Sequence, residues 1–255
     1  FIVTYWKDFP WLEWCLKCLR KHATQFAGIT IALPNKDIPK WNGDTTCARI
    51  VGYDEVEGKG MVQHMAVKAM ADDFVPSDTQ CVLHMDADCM VKVPITPRDY
   101  FEGDKPYYVV RSYDSLTDSK SKVVSDCYQW RAVAEKTLAT PLRMYTMCRH
   151  PTGFPIGFYK RIRRFIESKQ NKPFSKYVLE QRNEFPQTYA DFPTMGGFAY
   201  KHMNANFKWI DISEGNHLAP KDKMQAYWSH TNRNNPTEPN FVPENIQKEI
   251  EAYIQ

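Results

Sequence analysis

Apolar residues in the first third of the chain fall into short blocks separated by turn-forming residues. Phe1-Ile2-Val3-Thr4-Tyr5 predicts a short buried strand. The stretch from Pro10 to Arg20 predicts an amphipathic helix, with Pro at its first position and basic residues in its last turn. Gly28 to Leu33 alternates into a second strand that Pro34-Asn35 halts. A helix is expected over about Met61 to Ala71, and Gln80 to Met85 predicts a strand running into Asp86-Ala87-Asp88. Strand, helix, strand, helix, strand is the alternation of a parallel sheet covered by helices, so the fold class is α/β.

The pattern becomes less regular further on. A strand is expected over Tyr107 to Arg111, a Ser/Asp/Lys-rich loop over Ser112 to Ser125, a helix over about Tyr128 to Ala139 and a basic helix over Phe158 to Ser168. Phe241-Val242-Pro243-Glu244 opens a last helix whose Ile246, Ile250, Tyr253 and Ile254 form one apolar stripe. With no internal repeat, low-complexity tract or clear linker, a single domain over 1–255 is the economical reading.

The chain's 255 residues are 43% hydrophobic and 25% charged, enough to bury a substantial core, which excludes disordered and collagen-like classes. No stretch approaches the roughly 18 apolar residues of a membrane span, and the mean hydropathy is −0.55. No signal peptide is visible, and because Phe1 already reads as strand, residues upstream are expected. Seven scattered cysteines suggest free thiols in a reducing, cytoplasmic setting. Cys15 and Cys18 have redox spacing, but Cys15 falls more than a turn inside the first helix, away from the amides that activate a thiol. No second Cys or His pair stands at zinc-ligand spacing.

The net charge of +3 is unevenly spread: −3 over 1–127, +9 over 128–176 and −3 over 177–255. The basic segment points to an anionic partner, with a solvated helix face as the alternative.

Asp86-Ala87-Asp88 is the centre of the chemistry. A chain with 17 Asp meets this spacing by chance, so the context must supply the specificity. If the strand continues through the motif, His84, Asp86 and Asp88 share one face at the carboxyl end of a strand, where open α/β sheets bind ligands. Two carboxylates held there suit a hard cation, Mg²⁺ or Mn²⁺, carrying a diphosphate. The alternative is a loop with two solvated Asp.

Gly60-Met61-Val62-Gln63-His64-Met65-Ala66-Val67-Lys68 followed by Val82-Leu83-His84-Met85-Asp86-Ala87-Asp88-Cys89 resembles the donor half of GT-A-fold glycosyltransferases. Asp191-Phe192-Pro193-Thr194-Met195-Gly196-Gly197-Phe198 is similar to the acidic, aromatic and Gly segment where acceptor and donor meet in such families, and Trp228-Ser229-His230 to their late metal-binding His. The pieces span about residues 1 to 231 in the expected order. His64 stands where a second Gln is common, and Pro193 interrupts what is often a helix.

The resemblance implies a GT-A-like (Rossmann-like), mostly parallel sheet flanked by helices. A donor-nucleotide and metal half would cover 1–127, an acceptor half 128–231 and a C-terminal loop and helix 232–255. It implies Mn²⁺ or Mg²⁺ on Asp88 and His230, with Asp86 holding ribose or a metal-bound water. Thr4 and Tyr5 would lie near the base of the donor, a UDP-sugar or related nucleoside-diphosphate sugar, and Lys59, Gln63 and Lys68 near its diphosphate and sugar. Lys59 and Lys68 are equally readable as surface residues. Asp191 is the expected general base, with Glu184 in reserve, for a single displacement with inversion.

Within 128–176, basic residues including Arg131, Arg149, Lys160, Arg161, Arg163 and Arg164 are interleaved with aromatics such as Tyr128, Trp130, Tyr145, Phe154, Phe158, Tyr159, Phe165 and Phe174. Cations for phosphates and rings for bases form a nucleic-acid footprint. The expected acceptor is therefore DNA carrying a hydroxymethylated cytosine, as in phage glycosyltransferases acting in a host cytoplasm, with the base flipped toward Asp191. The alternatives are a glycan or glycolipid acceptor, a sugar nucleotidyltransferase (disfavoured because Tyr5-Trp6-Lys7-Asp8-Phe9-Pro10 lacks Gly) and a non-catalytic nucleic-acid-binding module. Phe158, Ile162, Phe165 and Ile166 also read as the buried side of an ordinary helix.

Overall fold

Local sequence places the first elements where the pattern puts them. β1 (Ile2–Val3) leads into α1 (Phe9–His22), with Pro10 in its first turn and Arg20, Lys21 and His22 in its last. β2 (Ile29–Pro34) ends at the expected proline, and β3 (Ala48–Tyr53) adds a strand that the apolar pattern did not reveal. Then come α2 (Gly60–Lys68), β4 (Cys81–His84), β5 (Cys89–Val91), β6 (Phe101–Glu102) and β7 (Lys105–Ser112). α3 (Lys122–Leu138) begins inside the stretch read as loop, and is followed by β8 (Met144–Tyr145), β9 (Thr152–Pro155) and α4 (Ile156–Gln170). α5 (Phe174–Leu179), α6 (Asp191–His202), β10 (Lys208–Asp211), β11 (Met224–Ala226) and α7 (Glu244–Ile254) complete the order. This computed structural model describes residues 1–44, 46–116, 122–148, 151–184, 188–213, 223–227, 229 and 237–255, without the side chains of 122–124. Among the described residues no helix is long and apolar enough to cross a membrane.

The chain is mixed α/β and divides into two compact units. One comprises Phe1–Asp54, Leu83–Tyr100 and Pro220–Gln255, the other Glu55–Val82 and Phe101–Ala219. The expected division after residue 127 falls inside the second unit.

In the first unit β1, β2 and β3 form a small parallel sheet in that order, with Ile2 opposite Ile31 and Ile31 opposite Ile50. The Phe1 amino group donates to the Leu83 carbonyl at 2.7 Å, and the Met85 N–H donates to the Phe1 carbonyl at 3.1 Å. Leu83–Met85 therefore runs beside the first strand, just before the acidic motif. α1 buries Trp11, Leu12, Cys15, Leu16, Cys18 and Leu19. All seven cysteines are free, and burial pushes the Cys15 thiol well up and that of Cys18 to about 12, far from an activated thiolate. α7 buries Ile250, and its Tyr253 carbonyl lies 2.6 Å from His22 Nε2 on α1.

The second unit is built around β7. β10 pairs with it in parallel, Tyr108 opposite Trp209, while β6 and β8 pair antiparallel. The two-residue turn between β6 and β7 places Gly103 at φ +63°, a left-handed value that glycine adopts freely. Rings fill the core over this sheet, with Phe154 4.4 Å from Phe158 and edge-on to Tyr108 at 5.6 Å. α6 is unbroken: Pro193 lies in its first turn, where an amide has no helical partner to lose, so the expected interruption is corrected.

Candidate functional site

The acidic motif of the first unit lies in a turn. β4 ends at His84, and the Cys89 N–H donates to the Asp86 carbonyl at 3.1 Å, closing Asp86–Cys89. The expectation that His84, Asp86 and Asp88 share one face by strand alternation is thereby corrected: Asp favours turns, and alternation lapses where the chain curls. His84 is buried and meets the Phe1 ring edge-on at 5.4 Å.

Asp88 is clamped by the late segment of the chain. β11 pairs antiparallel with β5, the Tyr227 N–H donates to the Asp88 carbonyl at 2.9 Å, and the Ser229 N–H donates to Asp88 Oδ2 at 3.0 Å. Burial pushes the Asp88 carboxyl up to about 7, the neighbouring Asp86 and Asp8 carboxylates push the same way, and the Ser229 hydrogen bond opposes them. Asp8 is a residue the sequence reading passed over as part of the turn before α1. Its Oδ1 accepts from Asn240 Nδ2 at 2.6 Å, a pairing 232 residues apart that no local signal announces. Among the described residues no group of three or more His, Cys, Asp or Glu is placed to hold a metal ion. A hard divalent cation needs only one or two carboxylates when diphosphate oxygens supply the rest, so Asp86 and Asp88 fit Mg²⁺ or Mn²⁺. His230, the expected third ligand, lies outside the described residues. Thr4 is fully buried and hydrogen-bonded through its backbone to Ala32, and its Oγ1 has no hydrogen-bond partner among the described residues. Tyr5 is half-buried, and its carbonyl accepts the Asp8 N–H.

The second unit holds the other expected residues. Lys68, at the end of α2, is buried rather than on the surface, and its Nζ lies 2.9 Å from Asp191 Oδ2 and 4.6 Å from the centre of the Phe192 ring. Asp191 Oδ1 accepts the Phe192 N–H at 2.8 Å, and its place as the first residue of α6 sets the carboxylate at the positive end of the helix. Both residues of this pair are less than a tenth exposed. The Tyr189 hydroxyl and Thr194 Oγ1, fully buried nearby in sequence, have no hydrogen-bond partner among the described residues. Burial, with the Asp191 carboxylate adding to it, pushes the Tyr189 hydroxyl well up. Glu184 is exposed and pairs loosely with Arg182 at 3.7 Å. Lys59 Nζ donates to the Gln181 carbonyl at 2.9 Å, and Gln63 Oε1 accepts the Val56 N–H.

The basic segment sorts into two kinds of cation. Arg163 binds both carboxylate oxygens of Asp72 and also the Ala69 carbonyl, and Arg131 pairs with Glu135 at 2.9 Å over the Tyr113 ring. Lys160, Arg161 and Arg164 are exposed on α4 and have no ion pair among the described residues. Arg149 lies outside the described residues. The interleaved rings are largely core: Phe154, Phe158, Tyr159 and Phe174 are buried, which corrects the expectation that they form a stacking surface. Tyr128 is the exposed ring of the segment.

No protein-family model matches the chain, and no curated protein matches it.

Proposed function

We propose that the protein is an inverting, divalent-metal-dependent glycosyltransferase of GT-A-like architecture that moves a sugar from a nucleoside-diphosphate sugar to a hydroxyl on DNA. The observation that carries this reading is the Asp86–Cys89 turn. It follows a strand segment that runs beside β1, and it presses Asp88 against other carboxylates while the Ser229 amide holds one of its oxygens. Sheets of this kind bind nucleotides beyond the carboxyl ends of their strands. Asp86 and Asp88 would hold Mg²⁺ or Mn²⁺, which would supply positive charge to offset that of a departing diphosphate.

Asp191 suits the general base better than Glu184, because it is buried and fixed by Lys68 whereas Glu184 is solvated. In the step proposed, the acceptor oxygen bonds to the anomeric carbon as the bond from that carbon to the diphosphate oxygen breaks. The hydroxyl proton passes to Asp191, and the nucleoside diphosphate leaves. The exposed Lys160, Arg161 and Arg164 support an anionic acceptor, and hydroxymethylated cytosine in DNA supplies a reactive hydroxyl. The burial of the α4 rings favours a second reading, in which the acceptor is a glycan or glycolipid and the cations meet its anionic groups.

The test is release of nucleoside diphosphate over a donor panel, with Mn²⁺ or Mg²⁺ and with or without hydroxymethylcytosine DNA. Release needing both metal and modified DNA is expected, and Asp88→Ala abolishes it. Metal-dependent release indifferent to DNA moves the acceptor to a glycan, and no release with any donor sinks the enzyme reading.

A further inference from the structure

The second unit carries a cleft of about 370 Å³ that no sequence motif announced. It is lined by the apolar Pro141, Leu142 and Met144 and by the exposed Arg143, Tyr200 and Lys201. Gly197 also lines it, and a Cβ there would come within 2.7 Å of Leu142 Cδ2, so a larger residue would require the Leu142 side chain to shift. Among the described residues no acidic side chain lines the cleft, and neither Arg143 nor Lys201 has an ion pair.

The exposed lining is held in place. The Arg143 carbonyl accepts the Tyr113 N–H at 3.0 Å, which ties its backbone to the sheet region. The Tyr200 ring, more than a third exposed, stands edge-on against Trp209 at 4.9 Å, and Trp209 Nε1 donates to the Asn204 carbonyl. Two cations without an ion pair among the described residues, beside a braced, exposed ring and an apolar lining, match the parts of a nucleotide in a strand: phosphates for the cations, a base face for the ring. Tyr200 and Asp191 lie on one helix, nine residues or about 14 Å apart at 1.5 Å per residue, so the cleft is rigidly spaced from the proposed base.

We infer that this cleft docks a single-stranded segment of nucleic acid, with phosphates on Arg143 and Lys201 and a base stacked on Tyr200. The inference deepens the proposed function, on which it rests for the identity of the acceptor, by assigning strand contacts to α6 and the segment before β8.

The experiment is fluorescence anisotropy of a labelled deoxyoligonucleotide of about 12 residues, titrated with the whole chain from about 50 to 200 mM salt. Arg143→Ala with Lys201→Ala is expected to weaken binding about tenfold at the low-salt end and to reduce the slope of log affinity against log salt by about 1.4, two single-strand phosphate contacts. Tyr200→Ala should weaken binding about fivefold or more and leave the slope unchanged, as loss of stacking does. Arg143→Lys with Lys201→Arg keeps the slope, a control independent of folding in the alanine variant. An unchanged slope in the alanine variant overturns the inference, as does displacement of the oligonucleotide by a nucleoside diphosphate alone. Cleft-dependent binding without diphosphate release from any donor leaves the inference standing and fails the transferase reading. Turnover on a glycan with no oligonucleotide binding does the reverse.

Discussion

Asp88 in the first unit is half-buried and Asp191 in the second is buried, and they are surrounded by opposite charges. Burial and the Asp86 and Asp8 carboxylates push the Asp88 carboxyl up to about 7, against the hydrogen bonds from the Ser229 amide and hydroxyl. Asp191 has Lys68 at 2.9 Å and a helix start beneath it. A buried carboxylate is costly unless it is paired. The chain itself meets that cost at Asp191, whereas the Asp88 turn concentrates negative charge suited to an added cation. The two aspartates thus differ in what surrounds them: one stands among like charges, and the other is already paired with a cation of the chain.

The largest expected effect is at the paired site. Lys68→Met leaves Asp191 buried without its ammonium and should cost about 3 to 5 kcal/mol of stability, read as a lowered urea midpoint. Adding Asp191→Leu to Lys68→Met should restore most of the loss, because no isolated charge then remains buried. If Lys68→Met alone is neutral, the two sites do not differ as described. The converse change, Asp88→Asn, removes a repelled carboxylate while keeping an acceptor for Ser229. At pH 8 without metal it should stabilise the protein by about 1 kcal/mol and abolish the heat of Mn²⁺ binding in calorimetry. Destabilisation, or Mn²⁺ binding that persists, would break the contrast from the other side.

The smallest effect is expected at the far end of α6. Burial against its aromatic neighbours, helped by Lys201 and Lys169, lowers the His202 pKa below its usual 6.5. The ring is therefore neutral at physiological pH, and its contribution to stability is present above pH 6.5 and lost as pH falls through the lowered value. Because His202 is largely solvated, that contribution is a few tenths of a kcal/mol. An NMR titration should give a midpoint below 6.5 that rises in Lys201→Ala. A midpoint at or above 6.5 would show that the cations near the cleft are screened from it.

Elements with strong local signals were legible in advance. α1 has its proline start and basic end, β2 its proline stop and α7 its apolar stripe, and each forms near its expected bounds. β3 was missed because Ala48-Arg49-Ile50-Val51-Gly52-Tyr53 alternates weakly and gains its strand character by pairing with β2. At the candidate site, residue types were readable but partners were not. Lys68 gave no sign that its charge belongs to Asp191, which lies 123 positions away, or Asp8 that it presses on Asp88.

The sequence by itself determined the α/β alternation, the acidic motif after a strand and the uneven placement of positive charge, because these depend on periodicity and composition within short windows. Only the tertiary structure decided which cations are committed and which are available, which rings are core and which are exposed, and that Arg143, Tyr200 and Lys201 share a cleft. Those distinctions depend on burial and on partners distant in sequence, and a side chain's charge or ring does not encode whether folding will leave it in water or bring an opposing group to meet it.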